Sequence, residues 1–169
     1  SLHDALPIFF IGVADQKDRQ YLQRVIDLFD ETGMPYADEE DIMYRLWAKF
    51  MLNVGINQTC MVFGQTYGEV LAPGESNRVY YAAMREVLAV ARAEGIPLSE
   101  KEVAWYTDLL KTLDPDSTPS MGQDRINRRK SEVDMFAGAV MELGARHGIA
   151  VPTNTFLYER AKEIEKEYC

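Results

Sequence analysis

The sequence predicts a mainly α-helical protein that begins with a short strand and helix of α/β type. From about residue 38 onward, apolar residues recur at helical spacing in one segment after another. Before that point, a single apolar run precedes a single amphipathic helix pattern. With 169 residues and 47% hydrophobic content, the chain is large enough for one packed domain, or for one domain and part of another.

The N-terminal part of the chain carries its own pattern. Residues 1–7 show no recognisable pattern, and we expect them to be a non-native addition. Residues 7–13 form an apolar run typical of a buried strand, and residues 17–32 show helical spacing that ends at Gly33. A strand and one helix are too little to fold alone. Residues 8–37 are therefore predicted to be the end of an α/β domain, with apolar faces exposed to solvent.

One long helix is predicted at the centre of the helical part. Asp38 is expected to cap it, with acidic residues 39–41 in its first turn, where the helix dipole favours negative charge. The helix should end near Phe63, because Gly64 follows. Gly55 within it costs about 1 kcal/mol relative to alanine. We therefore expect a close approach to its backbone there by another helix or a ligand.

Three polar residues recur every fourth position on this helix. Lys49, Asn53 and Asn57 therefore share one face. Apolar residues such as Leu46 and Cys60 project into the same arc, so we expect the polar side chains to lie in apolar surroundings. Either a ligand satisfies them, or the lysine extends to water while the asparagines cap a neighbouring helix. Spacing alone leaves both interpretations open.

The later helices are predicted from their start and stop signals. Ser99 with Glu102 has the spacing of a capping box, as does Ser131 with Asp134, and Thr118 is expected to cap a short helix that starts at Pro119. The predicted segments are helices at 76–94, 99–113, 131–148 and 152–168, with a loop at 114–119.

Composition excludes several classes of function. Eighteen basic residues against 27 acidic ones give a net charge of -9, with no basic cluster longer than residues 128–130, so nucleic acid is not an expected partner. No apolar run approaches the ~20 residues of a membrane span. Two cysteines and two histidines form no disulfide or metal-ligand pattern. We therefore expect a soluble cytoplasmic protein without a metal site.

Four spaced motifs carry a resemblance to a known family. They are Trp47-x-Lys49-x-x-x-Asn53-x-x-x-Asn57, Ser120-Met121-x-Gln123-Asp124, Ser131-Glu132-x-Asp134 and Gly148-Ile149-x-x-Pro152-x-Asn154. Over about residues 41–164, they resemble the C-terminal helical domain of ketopantoate reductase (2-dehydropantoate 2-reductase), of the 6-phosphogluconate dehydrogenase C-terminal-like type. Residues 8–37 resemble the end of that family's Rossmann domain, but the Gly-x-Gly-x-x-Gly fingerprint is absent from these 169 residues.

The resemblance implies an enzyme of which this chain is the C-terminal part. The implied reaction is the NADPH-dependent reduction of ketopantoate to (R)-pantoate, in pantothenate and coenzyme A biosynthesis. Residues 38–169 would form the substrate and catalytic domain, whereas NADPH would bind mainly to the N-terminal domain, across a cleft. A chain without that domain is expected to be inactive. A homodimer formed through the helical domain is one assembly that the resemblance implies.

The resemblance also implies roles for five residues. Lys49 matches the catalytic lysine, Glu132 the active-site glutamate and a candidate for cofactor contact, and Asn53, Asn57 and Ser120 the substrate-binding residues. Hydride delivered to a ketone leaves negative charge on oxygen, which a nearby cation can stabilise and protonate. Taken alone, the position of Glu132 favours a stabilising first-turn charge over catalysis, and that of Ser120 favours bonding to free backbone N–H groups.

Two other functions remain open at this point. One is a reductase of the same fold that acts on another 2-keto or 2-hydroxy acid. The other is a non-enzymatic helical module that mediates association.

Overall fold

The computed structural model describes residues 9–169, so the prediction for residues 1–7 lies outside it. Within this range the chain forms two short strands and eight α-helices. Their bounds are β1 Phe9–Ile11, α1 Arg19–Thr32, β2 Tyr36–Asp38, α2 Ile42–Phe63, α3 Tyr67–Leu71, α4 Glu75–Ala93, α5 Glu100–Leu110, α6 Ser120–Ile126, α7 Ala139–His147 and α8 Pro152–Glu165. The chain divides into two compact units, of which the first ends at Leu46 and the second covers Trp47–Cys169.

The first unit contains a parallel β–α–β arrangement. β1 pairs with β2 in parallel, with Phe9 opposite Tyr36 and Ile11 opposite Asp38. α1 connects the strands and ends at Gly33, as predicted, because glycine readily adopts the left-handed conformation found there, with φ at 68°. The predicted strand and helix are therefore both present.

Apolar side chains of the first unit are exposed, as predicted. Phe9 is 42% exposed and Phe10 39% exposed on β1, and Leu28 on α1 is 54% exposed. A two-stranded sheet covered by one helix buries too little apolar surface to be stable by itself.

The central helix α2 starts later than predicted. Asp38 is not its cap, because this residue ends β2 and its carboxylate accepts a hydrogen bond of 2.8 Å from Arg19. Asp41 caps the helix instead, since its side chain accepts a 2.9 Å bond from the backbone N–H of Tyr44. The end of α2 is as predicted, with Gly64 at a φ of 66°.

The core of the second unit forms where α4 crosses α2. A Cβ at Gly55 would lie 2.6 Å from Cγ of Met84 and 3.1 Å from the ring of Tyr80, so the predicted close approach to Gly55 is made by α4. Tyr80 is fully buried, and its hydroxyl lies 2.9 Å from that of Thr107 on α5. α2, α4 and α5 are therefore packed through apolar contacts and one internal polar pair.

Three helix starts test the capping predictions. The box at Ser99 forms, with its backbone N–H 2.7 Å from the carboxylate of Glu102. Thr118 does not cap α6, because its hydroxyl donates instead to the backbone oxygen of Gln65, at 3.4 Å. α3 was not predicted, although Thr66 and Glu69 form a capping box at its start, with 2.8 Å between the Thr66 N–H and the carboxylate.

The predicted capping box at Ser131 is wrong. The Ser131 backbone N–H donates to the carboxylate of Glu165 on α8 at 2.7 Å, and Asp134 accepts from Tyr158 at 2.9 Å and from Lys162 at 2.7 Å. The backbone at Asp134–Gly138 winds as a π-helical turn before α7 begins. Partners from α8 therefore replace the local pairing that the sequence predicted.

None of the helices in the described range combines the length and apolar character that crossing a membrane requires. The same residues contain no group of three or more histidine, cysteine, aspartate or glutamate side chains that could hold a metal ion.

Candidate active site

A cleft of about 560 Å³ lies in the second unit, and all five predicted site residues line it. Lys49, Asn53 and Asn57 come from α2, Ser120 is the first residue of α6, and Glu132 lies just before the π-helical turn. Segments more than 60 residues apart in the sequence therefore meet at one surface.

Asn57 connects α2 to the start of α6. Its side-chain oxygen accepts a 2.9 Å bond from the hydroxyl of Ser120 and a 3.4 Å bond from the backbone N–H of Met121. Its side-chain N–H group donates to Asn53 at 3.4 Å. One interpretation of the sequence was that the asparagines cap a neighbouring helix, and Asn57 does so for a backbone N–H group at the start of α6. Asn57 also lines the cleft.

The surroundings of the three α2 residues change along the helix. Leu46 is 55% exposed and Lys49 is also exposed, whereas Asn57 is only 5% exposed and Cys60 only 1%. The expectation of apolar surroundings is therefore wrong for Lys49 and right for Asn57, because α2 runs from the rim of the unit into its core.

Lys49 and Glu132 both present their charges at the cleft. Within residues 9–169, neither side chain has a hydrogen-bond or ion-pair partner. An ammonium and a carboxylate at one open cleft can bind and orient a polar ligand without first breaking an internal ion pair.

The rest of the cleft is apolar, and no site role was predicted for its residues. They are Leu52, Ile56, Tyr67, Leu109, Leu110, Leu113, Pro119 and Phe136. Tyr67 begins α3, so the unrecognised capping box at Thr66 was the signal that could have placed it. Burial raises the pKa of the Tyr67 hydroxyl, and nearby Cys60 adds to the shift. Tyr67 therefore contributes a neutral aromatic surface.

Cys60 is not a nucleophile in this arrangement. Burial raises the pKa of its thiol to about 12, so the reactive thiolate is scarcely populated at neutral pH. Cys60 therefore offers no reactive thiolate beside the cleft.

Solved structures of known proteins contain the same helical arrangement. The ketopantoate reductase of Ralstonia eutropha JMP134 matches with a TM-score of 0.78 at 28% identity, over 86% of this chain and 49% of that chain. A D-mandelate dehydrogenase, solved with NADH and anilino(oxo)acetate, gives a TM-score of 0.83 over 94% of this chain and 66% of that one. At 23% identity, the second likeness shows the fold alone. The second unit therefore has the fold of a helical domain found in these oxidoreductases.

The sequence comparison identifies the family. The model of the ketopantoate reductase PanE/ApbA C-terminal family matches residues 41–165, and the chain belongs to this family. A Vibrio cholerae serotype O1 protein named 2-dehydropantoate 2-reductase is 31% identical over 146 residues, which are 85% of this chain and 48% of that protein. The chain spans about half the length of the curated relatives that it matches.

The first unit does not fit the pyrophosphate of a dinucleotide. Such sites use a glycine-rich turn at a helix N-terminus. The turn between β1 and α1 carries Asp15 and Asp18 instead, and Asp38 ends the neighbouring strand. Residues 12–18, which connect β1 to α1, contain a single glycine, Gly12, so this turn lacks the glycine-rich loop that such a site uses.

Proposed function

We propose that the complete protein containing this chain reduces 2-dehydropantoate to (R)-pantoate with NADPH, a step in pantothenate and coenzyme A biosynthesis. The observation that carries the proposal is the convergence of Lys49, Glu132, Asn53, Asn57 and Ser120 on one cleft. Membership of the ketopantoate reductase C-terminal family supports it.

Lys49 is proposed to be the proton donor. When NADPH is bound, it supplies the hydride, and negative charge then develops on the substrate's ketone oxygen. An ammonium at that position stabilises the charge and passes its proton to the oxygen. Lys49 is suited to this role because it lines the cleft and, within the described residues, has no internal ion pair that holds it elsewhere.

The asparagines and Ser120 are proposed to bind the substrate's carboxylate and hydroxyl groups. The contact of 3.4 Å between Asn57 and Asn53 is long for a hydrogen bond, so the Asn57 N–H group can exchange it for a bond to a carboxylate oxygen. Ser120 donates to Asn57, which leaves the lone pairs of its hydroxyl oxygen available to accept from a substrate hydroxyl.

Glu132 is proposed to orient the Lys49 ammonium and to contribute to cofactor contact at the same cleft. It lines the same cleft as Lys49, and a carboxylate can accept a hydrogen bond from an ammonium and so fix its direction. This proposed role of Glu132 complements that of Lys49, because a proton donor has to point toward the oxygen that it protonates.

NADPH is proposed to bind mainly outside this chain. Residues 8–37 are interpreted as the end of a Rossmann domain of the complete protein, and the parallel pairing of β1 and β2 supports this interpretation. Since the β1–α1 turn does not suit a pyrophosphate, residues 1–169 alone are proposed to be inactive. The proposal further includes a cytoplasmic location and a homodimer formed through the helical domain.

One observation favours a second candidate function. The apolar part of the cleft, including Leu109, Leu113 and Phe136, suits a 2-oxo acid with a larger apolar substituent than ketopantoate carries.

Assays of the protein with its upstream reading frame restored test both candidates. NADPH oxidation is measured with ketopantoate, pyruvate and phenylglyoxylate, and residues 1–169 are assayed in parallel. We expect the highest kcat/KM with ketopantoate and no turnover by the short chain. A preference for phenylglyoxylate would favour the second candidate. No turnover of any acid, together with stable self-association, would favour the association module.

A further inference from the structure

We propose that Glu132 is held in position by two buried side chains that lie outside the cleft, Glu165 and Gln58. This inference rests on the proposed function, because it concerns the geometry of the same site. We call residues 131–137 the anchored segment. It contributes Glu132 and Phe136 to the cleft, and each of its ends is bound to a different helix.

Glu165 holds the first end. It is only 5% exposed, and one of its carboxylate oxygens accepts bonds from Ser131, at 2.7 Å from the backbone N–H and 2.6 Å from the hydroxyl. The ammonium of Lys162 lies 3.5 Å from the other oxygen. A buried carboxylate is costly unless it is paired, and bonds to a charged acceptor are about twice as strong as neutral ones. The residue directly before Glu132 is therefore fixed to α8.

Gln58 holds the second end. It is fully buried, and its side-chain oxygen accepts a 2.9 Å bond from the backbone N–H of Ala137 in the π-helical turn. Its N–H groups donate to the backbone oxygen of Val54 at 2.8 Å and to Asn154 at 3.3 Å. A π-helical turn interrupts the regular backbone pattern, and buried N–H groups need partners. Gln58 supplies that partner from α2.

The side chain of Gln58 is held by further hydrogen bonds, through Asn154 to Glu86. Asn154 is fully buried, and its side-chain N–H group donates to the carboxylate of Glu86 at 2.8 Å. The same carboxylate accepts from the backbone N–H groups of Thr153 at 2.7 Å and Asn154 at 2.9 Å. A fully bonded buried network is rigid because each member fixes the next. Gln58 therefore has little freedom to move.

The two anchors fix the position of Glu132 relative to Lys49. Gln58 and Lys49 are on the same helix, α2. The bond from Gln58 therefore fixes the π-helical turn relative to the helix that carries the proposed proton donor. Displacement of a reacting group by about 1 Å can cost 10²-fold in rate. Glu165 and Gln58 are thus positioning residues: neither lines the cleft, and each acts through the anchored segment.

A double-mutant cycle in the complete enzyme tests the catalytic consequence. Glu165→Ala should lower kcat about 10- to 100-fold, whereas Glu165→Gln, which keeps a carbonyl oxygen for Ser131, should restore most of it. In a Glu132→Gln background, Glu165→Ala should change kcat by less than about twofold, because the group it positions is gone. The matched control is Glu163→Ala on the same helix, an exposed residue paired with Arg160. Equal losses in both Glu132 backgrounds would overturn the proposal.

Hydrogen exchange provides a readout that does not need activity. The backbone N–H groups of Ala137 and Gly138, which bond to Gln58 and to the backbone oxygen of Val133, should exchange about tenfold or more faster in Glu165→Ala and in Ser131→Ala than in the Glu163→Ala control. Ser131→Ala removes one hydroxyl and is the substitute if Glu165→Ala fails to fold. Unchanged exchange would overturn the anchoring. If exchange changes but the unsubstituted enzyme reduces no ketopantoate, the proposed function fails while the anchoring stands.

Discussion

Asn57 and Gln58 are neighbours on α2 with the same amide group, yet they belong to two different regions of the protein. Asn57 lies on the cleft side of the helix, and two of its three bonds are long, at 3.4 Å. Gln58, about 100° further round the helix, lies on what we call the network side, where it bonds to the π-helical turn, to α2 itself and to buried Asn154. The contrast shows that two identical amide groups on one helix take different partners, according to which side of the helix carries them.

We expect substitutions on the two sides of α2 to affect different properties of the protein. Substitutions on the cleft side should change turnover and leave the free energy of unfolding nearly unaltered, since cleft residues give up few internal bonds. Substitutions on the network side should mainly lower the free energy of unfolding, because they leave buried groups without partners. Each variant below tests that separation in the complete protein.

Lys49→Met should have the largest effect. It removes the charge and keeps most of the apolar stem, so kcat should fall by about 10² to 10⁴ fold, the usual range for general acid catalysis. The NADPH KM and the melting temperature should stay close to their original values. Steady-state kinetics and thermal unfolding measure these quantities, with Lys101→Met, an exposed lysine on α5, as the control. A near-normal kcat would mean that Lys49 only extends to water.

Gln58→Leu should have the largest effect on stability. It leaves the N–H of Ala137 and the side-chain oxygen of Asn154 without a partner, and each buried unsatisfied group costs about 1–3 kcal/mol. We expect the free energy of unfolding, measured in urea, to fall by about 2–4 kcal/mol. Gln123→Leu on α6, where the side chain is exposed, should cost less than about 0.5 kcal/mol. Equal losses in the two variants would contradict the structural role of the Gln58 hydrogen bonds.

Asn57→Ala tests the border between the two sides. If Asn57 binds substrate in the ground state and transition state alike, the KM for ketopantoate should rise about tenfold with little change in kcat. Loss of the bonds to Ser120 and Met121 should also lower the free energy of unfolding by about 1 kcal/mol. Kinetics and urea unfolding on the same sample compare the two effects. A stability loss with an unchanged KM would place Asn57 on the structural side.

Asp134→Asn should have the smallest effect, and it should depend on pH. The ammonium of Lys162, followed by the hydroxyl of Tyr158, lowers the pKa of the Asp134 carboxyl below its usual value. The resulting stabilisation is complete above about pH 4, the pKa of an unfolded aspartate, and is lost as the pH falls through the lower folded pKa. Because the side chain is 48% exposed, we expect only about 0.5 kcal/mol at pH 7. Urea unfolding should show that difference vanishing near pH 2, and a constant difference would contradict it.

Features encoded by short-range spacing could be predicted from the sequence. The capping box at Ser99 and the helix ends at Gly33 and Gly64 depend on residues within one turn of each other. The pair Ser131 and Asp134 has the same spacing and fails, because the carboxylate of Glu165, 34 residues away, takes the bonds of Ser131. Local patterns hold only where no distant partner competes for the same donors.

The candidate site also combines residues that short-range spacing predicts with residues that it does not. Helical spacing alone grouped Lys49, Asn53 and Asn57, since they occupy one face of one helix. Ser120 and Glu132 became candidates through the family resemblance, because nothing local to them indicates a cleft. The bond from Ala137 to Gln58 joins residues 79 positions apart, and no spacing rule predicts it.

The π-helical turn at Asp134–Gly138 also constrains which insertions and deletions this protein can tolerate during evolution. Such a turn contains one residue more than a regular α-helical turn, and each residue of a helix rotates the chain by about 100°. Deleting one residue here would allow regular α-helical hydrogen bonds to continue into α7. Everything before the deletion would turn by about 100°, which would carry Glu132 away from the cleft. A lineage could therefore lose the carboxylate from its site while keeping every residue that lines the cleft on α2.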